Sequence, residues 1–320
     1  MRMDTDSGRR CAIRTERLTK SYGGSRGLCD LDLVVDEGEI FGFIGPNGAG
    51  KTTTIRLLLD LIRPDAGTAE VFGLDTRREA VAVHRTTGYL PGEFALDPHL
   101  SGRQALTYFS NLRGGVSRAE IESLAGQIGL DLDRPFGQYS RGNKQKVGLV
   151  QAFMHRPRLL ILDEPTTGLD PLNQETVAAW VRNVKSEGRT VFFSSHVLSV
   201  VEALCDRVGF IRDGRLVRVA PVQELLGMRV HEFVAECADP LPADALAGVL
   251  GVSEVTVAGA TVRGVMRGDV DALMKALARY HVRSFTSHVP SLSEVFLHLY
   301  EGPEPATTVP STPEHPERDG

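Results

Sequence analysis

Residues 45–52 read Gly-Pro-Asn-Gly-Ala-Gly-Lys-Thr, a spacing of glycines ahead of Lys-Thr that suits the gripping of a phosphate. Gly45, Gly48 and Gly50 let the backbone curl closely round an anion so that successive amides point inward, with Asn47 and Ala49 completing the loop. Lys51, Thr52 and Thr53 open a helix whose positive end adds to that attraction. Lys51 should reach the β and γ phosphates of a nucleotide, and the Thr52 hydroxyl is placed to ligate Mg²⁺. A glycine turn capping an ordinary helix is the plain alternative, and further residues decide between the two.

The first of these is an apolar run, Leu159-Leu160-Ile161-Leu162, that ends abruptly in Asp163-Glu164-Pro165. Acids at the exit of a buried strand lie at the carboxyl edge of a sheet, where α/β proteins bind their ligands. Asp163 suits the holding of Mg²⁺ through its water shell, and Glu164 the acceptance of a proton from water attacking a γ phosphate. Taken alone, adjacent acids at a strand end read more readily as a solvated turn; the loop ahead of Lys51 reverses that reading. Val191-Phe192-Phe193-Ser194-Ser195-His196 repeats the geometry and sets His196 beside the same phosphate. The other histidines, His84, His155 and His231 among them, lack metal-ligand spacing and read as surface or satisfied core residues. Cys11, Cys29, Cys205 and Cys237 are likewise too scattered for a zinc site or a redox pair.

These clusters need elements to hold them. Ile40–Ile44 is a short, almost wholly apolar strand, and Thr52–Ile62 carries apolar residues at helical spacing up to Pro64, so the glycine loop joins strand to helix. Leu159–Leu162 and Thr190–Phe193 give two more buried strands, separated by a helix through Gln174–Ser186. Ahead of them, Ala12–Tyr22 and Leu28–Val35 read as strands. Ser101–Leu112 and Ser117–Ile128 read as helices with no strand between, a helical insertion, and Val208–Val217 reads as a hairpin round Asp213-Gly214.

From about Val230 the order changes to strand, helix (Ala243–Leu250), strands (Glu254–Val257, Thr261–Met266), helix (Asp269–Tyr280) and strand (Arg283–His288), a small α+β unit. Pro290-Ser291 with Glu294 signals a last capped helix. Residues 302–320, rich in Pro, Thr and Glu, should be a disordered tail.

With 320 residues, 42% hydrophobic and 24% charged, the composition is that of a soluble globular chain. A net charge of −5 provides no positive field for nucleic acid or anionic lipid, so any membrane contact should go through a protein. No apolar run approaches the roughly 20 residues of a membrane span, and the polar start does not read as a secretory signal; a cytoplasmic location is expected.

Taken together, the glycine loop, the Asp163-Glu164 pair and their order strongly resemble the nucleotide-binding domains of ABC ATPases over about Ala12–Val217. Tyr139-Ser140-Arg141-Gly142-Asn143 resembles the ABC signature, usually Leu-Ser-Gly-Gly-Gln, matching at Ser140 and Gly142. Thr167-Gly168-Leu169-Asp170 resembles the D-loop, His196 the switch histidine, and Tyr22 the aromatic that stacks on adenine.

The resemblance implies an α/β P-loop NTPase of the ABC type, with a β-subdomain and helical insertion over 12–225, a small α+β domain over 229–301 and the tail beyond. It implies an ATPase using ATP and Mg²⁺, in which Ser140 and Gly142 meet the nucleotide of a second, like or paired, subunit. The variant signature, the Leu-Pro-Gly-Glu segment and the appended domain resemble ATPases of ABC-2 type drug and antibiotic exporters, which are peripherally attached to the cell membrane through a separate permease. Gly92 stands where the family carries a glutamine that touches Mg²⁺, and Glu93 is a candidate replacement. A soluble ABC ATPase working as a mechanical or regulatory module is the alternative.

Overall fold

Alternation of buried and exposed side chains draws the start of the chain into two antiparallel strands, β1 (Cys11–Tyr22) and β2 (Ser25–Asp36), with Leu18 opposite Leu31. The structure, a computed structural model, describes residues 10–23, 25–227, 230–268 and 270–288, which divide into two units at Met228/Arg229. In the first unit β3 (Ile40–Ile44), buried at all five positions, runs into α1 (Lys51–Leu58). Strands β4 (Ala66–Val71) and β5 (Leu74–Asp75) then join the opening pair in the order β2-β1-β4-β5.

After α2 (Ala80–Thr86) and β6 (Thr87–Leu90), the helices α3 (Gly102–Leu112), α4 (Arg118–Gln127) and α5 (Arg141–Phe153) follow one another as an insertion. The chain resumes the sheet with β7 (Leu159–Asp163), α6 (Pro171–Ser186), β8 (Thr190–Ser195), α7 (Leu198–Leu204), β9 (Arg207–Arg212), β10 (Arg215–Pro221) and α8 (Val222–Gly227). The second sheet runs β10-β9-β3-β8-β7-β6, parallel except for the edge strand β10.

Strands covered on both faces carry continuous apolar runs, and β3, β7 and β8 are buried at every position, their polar residues confined to the strand ends. Phe192 lies 5.9 Å from Phe41 and 5.3 Å from Phe43, centroid to centroid, inside a core shared with α1 and the antiparallel sheet. The insertion is tied to α6 at Trp180, the chain's one tryptophan. Its indole N–H donates to Gln127 Oε1 at 2.7 Å, and its ring lies 5.2 Å from that of Phe153, so α4, α5 and α6 meet there.

The helix after the glycine loop is shorter than its apolar spacing suggests. It stops at Leu58 because Asp60 turns left-handed at φ 53 and the Leu61 amide reaches back to the Arg56 carbonyl, closing the helix end.

The second unit has strands β11 (Val230–Cys237), β12 (Val252–Ala258), β13 (Thr261–Arg267) and β14 (Val282–His288), all antiparallel in the order β12-β13-β11-β14, with α9 (Asp271–Leu277). It has its own core, including Phe233, Val262, Leu273 and Leu277. The helix expected over Ala243–Leu250 is absent: Ala245, Ala247 and Val249 each bond three residues back in successive turns, and Gly248 at φ 78 breaks any helical run. The capped helix expected at Ser291 and the tail expected over 302–320 lie outside the described residues. Among the described residues, no helix is long and apolar enough to cross a membrane.

Candidate active site

The register of the parallel sheet brings the candidate residues to one edge. Ile44 pairs with Ser195 and Asp163 with Ser194, so the loops leaving β3, β7 and β8 emerge side by side. At the first of these exits Gly48 (φ 82) and Gly50 (φ 111) hold left-handed conformations that admit glycine most readily. A Cβ on Gly45 would come 2.4 Å from the Ile211 carbonyl oxygen, so only glycine lets the loop lie this close to β9. Ala49 is buried, and its carbonyl accepts from the Gly214 amide, which anchors the loop from below.

Gly50 precedes α1, and the first amide to find an acceptor in that turn is Thr54, donating to the Gly50 carbonyl at 2.9 Å. The amides ahead of it face out of the helix end. They border a pocket of about 180 Å³ whose walls include Asn47, Lys51, Thr52, Thr53, Asp163 and Glu164.

Lys51 is 6% exposed and donates from Nζ to the carbonyls of Gly45 (2.7 Å) and Pro46 (3.2 Å), with Glu164 Oε1 at 3.7 Å. Its ammonium is thus fixed at the pocket by the loop that surrounds it. Asp163, 2% exposed, accepts from the Thr52 hydroxyl at 2.8 Å and from the Ser194 hydroxyl. A buried carboxylate needs such donors. The next residue, Glu164, takes φ 51, uncommon outside glycine, and its Oε2 lies 2.7 Å from His196 Nδ1.

Lys51, Thr52, Thr53, Asp163, Glu164 and His196 therefore share one edge with the loop 45–50. The structure does not bring Tyr22, Ser140, Gly142 or Asp170 into the same pocket. Tyr22 is partly exposed at the end of β1, with Lys20 Nζ 5.9 Å from its ring centre. Ser140 caps α5, accepting from the Asn143 amide at 3.2 Å, and a Cβ on Gly142 would meet the Gly168 carbonyl oxygen at 2.6 Å. Asp170 caps α6 and accepts from the Asn173 amide, which holds its carboxyl below the usual range. Both helix starts present exposed polar groups away from the pocket of their own chain.

One residue that its position in the string did not single out acts here, and a second, Gly92, gains a neighbour that the string could not give. Ser194 supports both acids, giving its proton to Asp163 while its Oγ and carbonyl accept from the Glu164 amide. The position opposite Asp163 belongs to Gly92: a Cβ there would lie 3.4 Å from Asp163 Oδ2, whereas Glu93 is exposed.

The donor set suits a hard cation beside a phosphate. A hydroxyl and a carboxylate 2.8 Å apart at the pocket wall are oxygen ligands of the kind Mg²⁺ takes, the remaining positions being left for water and phosphate oxygens. Among the described residues no group of three or more His, Cys, Asp and Glu could hold a metal.

Comparison with known proteins gives a consistent result. The sequence profile described as ABC transporter matches residues 28–167. A daunorubicin resistance ATP-binding protein, DrrA3 of Streptomyces coeruleorubidus, is 36% identical over 90% of this chain and 95% of its own length. The bacitracin transport ATP-binding protein BcrA of Enterococcus faecalis is 38% identical over 67% of this chain and 70% of its own. Among solved structures, an ATP-binding subunit of an ABC transporter superposes with TM-score 0.62 at 30% identity, covering 67% of this chain and 91% of that one. An ATP-binding cassette solved as a dimer in a post-hydrolysis state with ADP and Pi has TM-score 0.61 at 23% identity, covering 66% and 98%, a likeness of fold.

Proposed function

Since the chain belongs to the ATP-binding family of ABC transporters, we propose that it is the ATP-hydrolysing subunit of an ABC-2 type exporter of a drug, antibiotic or similar amphipathic compound, driving a separate membrane permease. The relatives named for daunorubicin and bacitracin support the cargo class, and the first of them matches through the second unit as well. The observation that carries the catalytic reading is the convergence of Lys51, Thr52, Asp163 and Glu164 on one pocket at one sheet edge, with His196 hydrogen-bonded to Glu164.

In this reading the amides of the loop 45–50 and the Lys51 ammonium bind the β and γ phosphates of ATP, an anion that the helix start also favours. Thr52 and Asp163 hold Mg²⁺, which when bound neutralises charge on the phosphate oxygens. Glu164 accepts a proton from the attacking water, and His196, hydrogen-bonded to Oε2, keeps the other carboxylate oxygen aimed at it. Tyr22 stacks on the adenine. Ser140 and Gly142 at the start of α5, with Asp170 across the interface, complete the site of a second copy or a paired ATPase, which explains why they lie apart from the pocket of their own chain. ATP closes such a pair because its γ phosphate adds contacts that ADP lacks, and this difference drives the permease.

Glu164→Gln keeps size and hydrogen bonding but removes the base. We expect Mg-ATP affinity to stay within about threefold of the wild type while turnover falls by roughly a hundredfold or more. Steady-state phosphate release beside equilibrium nucleotide binding checks this, and equal turnover in the two proteins would exclude Glu164 as the base.

A further inference from the structure

Glu164 is held in an unusual backbone conformation, φ 51, at the position where its carboxylate must be aimed. A non-glycine residue stays in such a conformation only when its surroundings over-determine it. Its amide is fixed from β8, donating to the Ser194 carbonyl (3.2 Å) and hydroxyl (3.3 Å). Its carbonyl is fixed from the opposite side by a residue of the helical insertion. Gln145, in the second turn of α5 and 5% exposed, donates from Nε2 to the carbonyls of Glu164 (3.3 Å) and Pro165 (3.5 Å).

A buried side-chain amide aimed at two consecutive carbonyls is costly to leave unpaired, so it specifies where that loop lies. The first turn of α5 is braced on the same loop, since Gly142 has room for nothing larger against the Gly168 carbonyl.

We propose that Gln145 is a positioning residue for hydrolysis: through the carbonyls of Glu164 and Pro165 it holds the left-handed turn that aims the Glu164 carboxylate. It does not line the pocket and acts only through Glu164. The inference deepens the proposed ATPase function and rests on it. Because α5 begins at Ser140, the helix start offered to the second subunit and the clamp on this chain's own base belong to one rigid element.

The test compares the full wild-type chain with Gln145→Met and Gln145→Glu, measuring kcat, KM for Mg-ATP, equilibrium nucleotide affinity and thermal unfolding. Methionine keeps the length of the side chain and removes the donor. Its kcat should fall by about ten- to a hundredfold, the scale of a misplacement near 1 Å, with nucleotide affinity within about twofold because the pocket's own residues are untouched. Glutamate sets an acceptor against two carbonyls until it is protonated, when it can donate again. Turnover of the glutamate variant relative to the methionine variant, which shares every other group, should therefore rise as pH falls.

Wild-type kcat in Gln145→Met would overturn the proposal. So would a parallel loss of turnover, nucleotide affinity and unfolding temperature, the mark of a packing role alone, or a ratio of the two variants that ignores pH. A wild-type chain that binds Mg-ATP without splitting it would remove the ATPase reading itself, and this inference with it, so the two failures are distinguishable.

Discussion

His155 shows what a single residue outside the site costs the fold. Its Nε2 lies 3.4 Å from the Thr87 carbonyl, and burial, followed by the charge of Arg113, pulls the imidazole down from its ordinary value to about 4. Above about pH 6.5 the ring is neutral in folded and unfolded chains alike, and stability is complete. As pH falls from about 6.5 toward 4 the unfolded chain takes up the proton first, so stability drains away across that window. The loss should be of order 1–3 kcal/mol after allowance for partial solvent access. In His155→Gln this segment of the stability profile should flatten, as urea midpoints at stepped pH would record.

At the same scale, some functional residues announce themselves and others do not. Lys51, Thr52 and Asp163 could be found because strand, loop and helix follow one another within a few residues, and the chemistry sits where the strand ends. Ser194 and Gln145 could not be singled out, since their partners lie about 20 to 30 positions away and such pairings leave no motif. Gly92 was legible only as a missing side chain; its approach to Asp163 needed coordinates.

Elements differ in how openly the string declares them. Buried strands such as β3, β7 and β8 are unmistakable because both faces are covered. The hairpin over 207–221 is marked by Asp213-Gly214, both at positive φ. By contrast, β6 has only four residues, and nothing local shows that it is the edge of a six-stranded sheet. The turns at 243–248 mimic a helix in composition, yet Pro240 and Pro242 precede them and Gly248 interrupts them.

Gly88 in β6 is where the insertion rests on the sheet. A Cβ there would come 2.2 Å from the Ala152 carbonyl oxygen of α5, a backbone atom that cannot step aside. Gly88→Ala should therefore destabilise the chain by about 1–3 kcal/mol, seen as a lower denaturation midpoint. An unchanged midpoint would mean that α5 can slide away from the sheet freely.

At the scale of the whole molecule, the described residues form two units with separate cores, and every candidate site residue belongs to the first. We propose that 12–225 and 229–301 are independent domains. A chain ended after Met228 should then fold cooperatively and bind Mg-ATP within about threefold of the full chain, by calorimetry and ligand titration. Failure to fold would show that the first unit depends on the second.

The lone indole at the junction of α4, α5 and α6 makes the molecule its own optical instrument. Indole emission originates where the insertion meets α6 and from no other place, and the hydrogen bond of Trp180 to Gln127 makes that light sensitive to any parting of the two. The chain thus contains an intrinsic fluorophore that reports on the contact between the insertion and α6, without a label and without a change of residue.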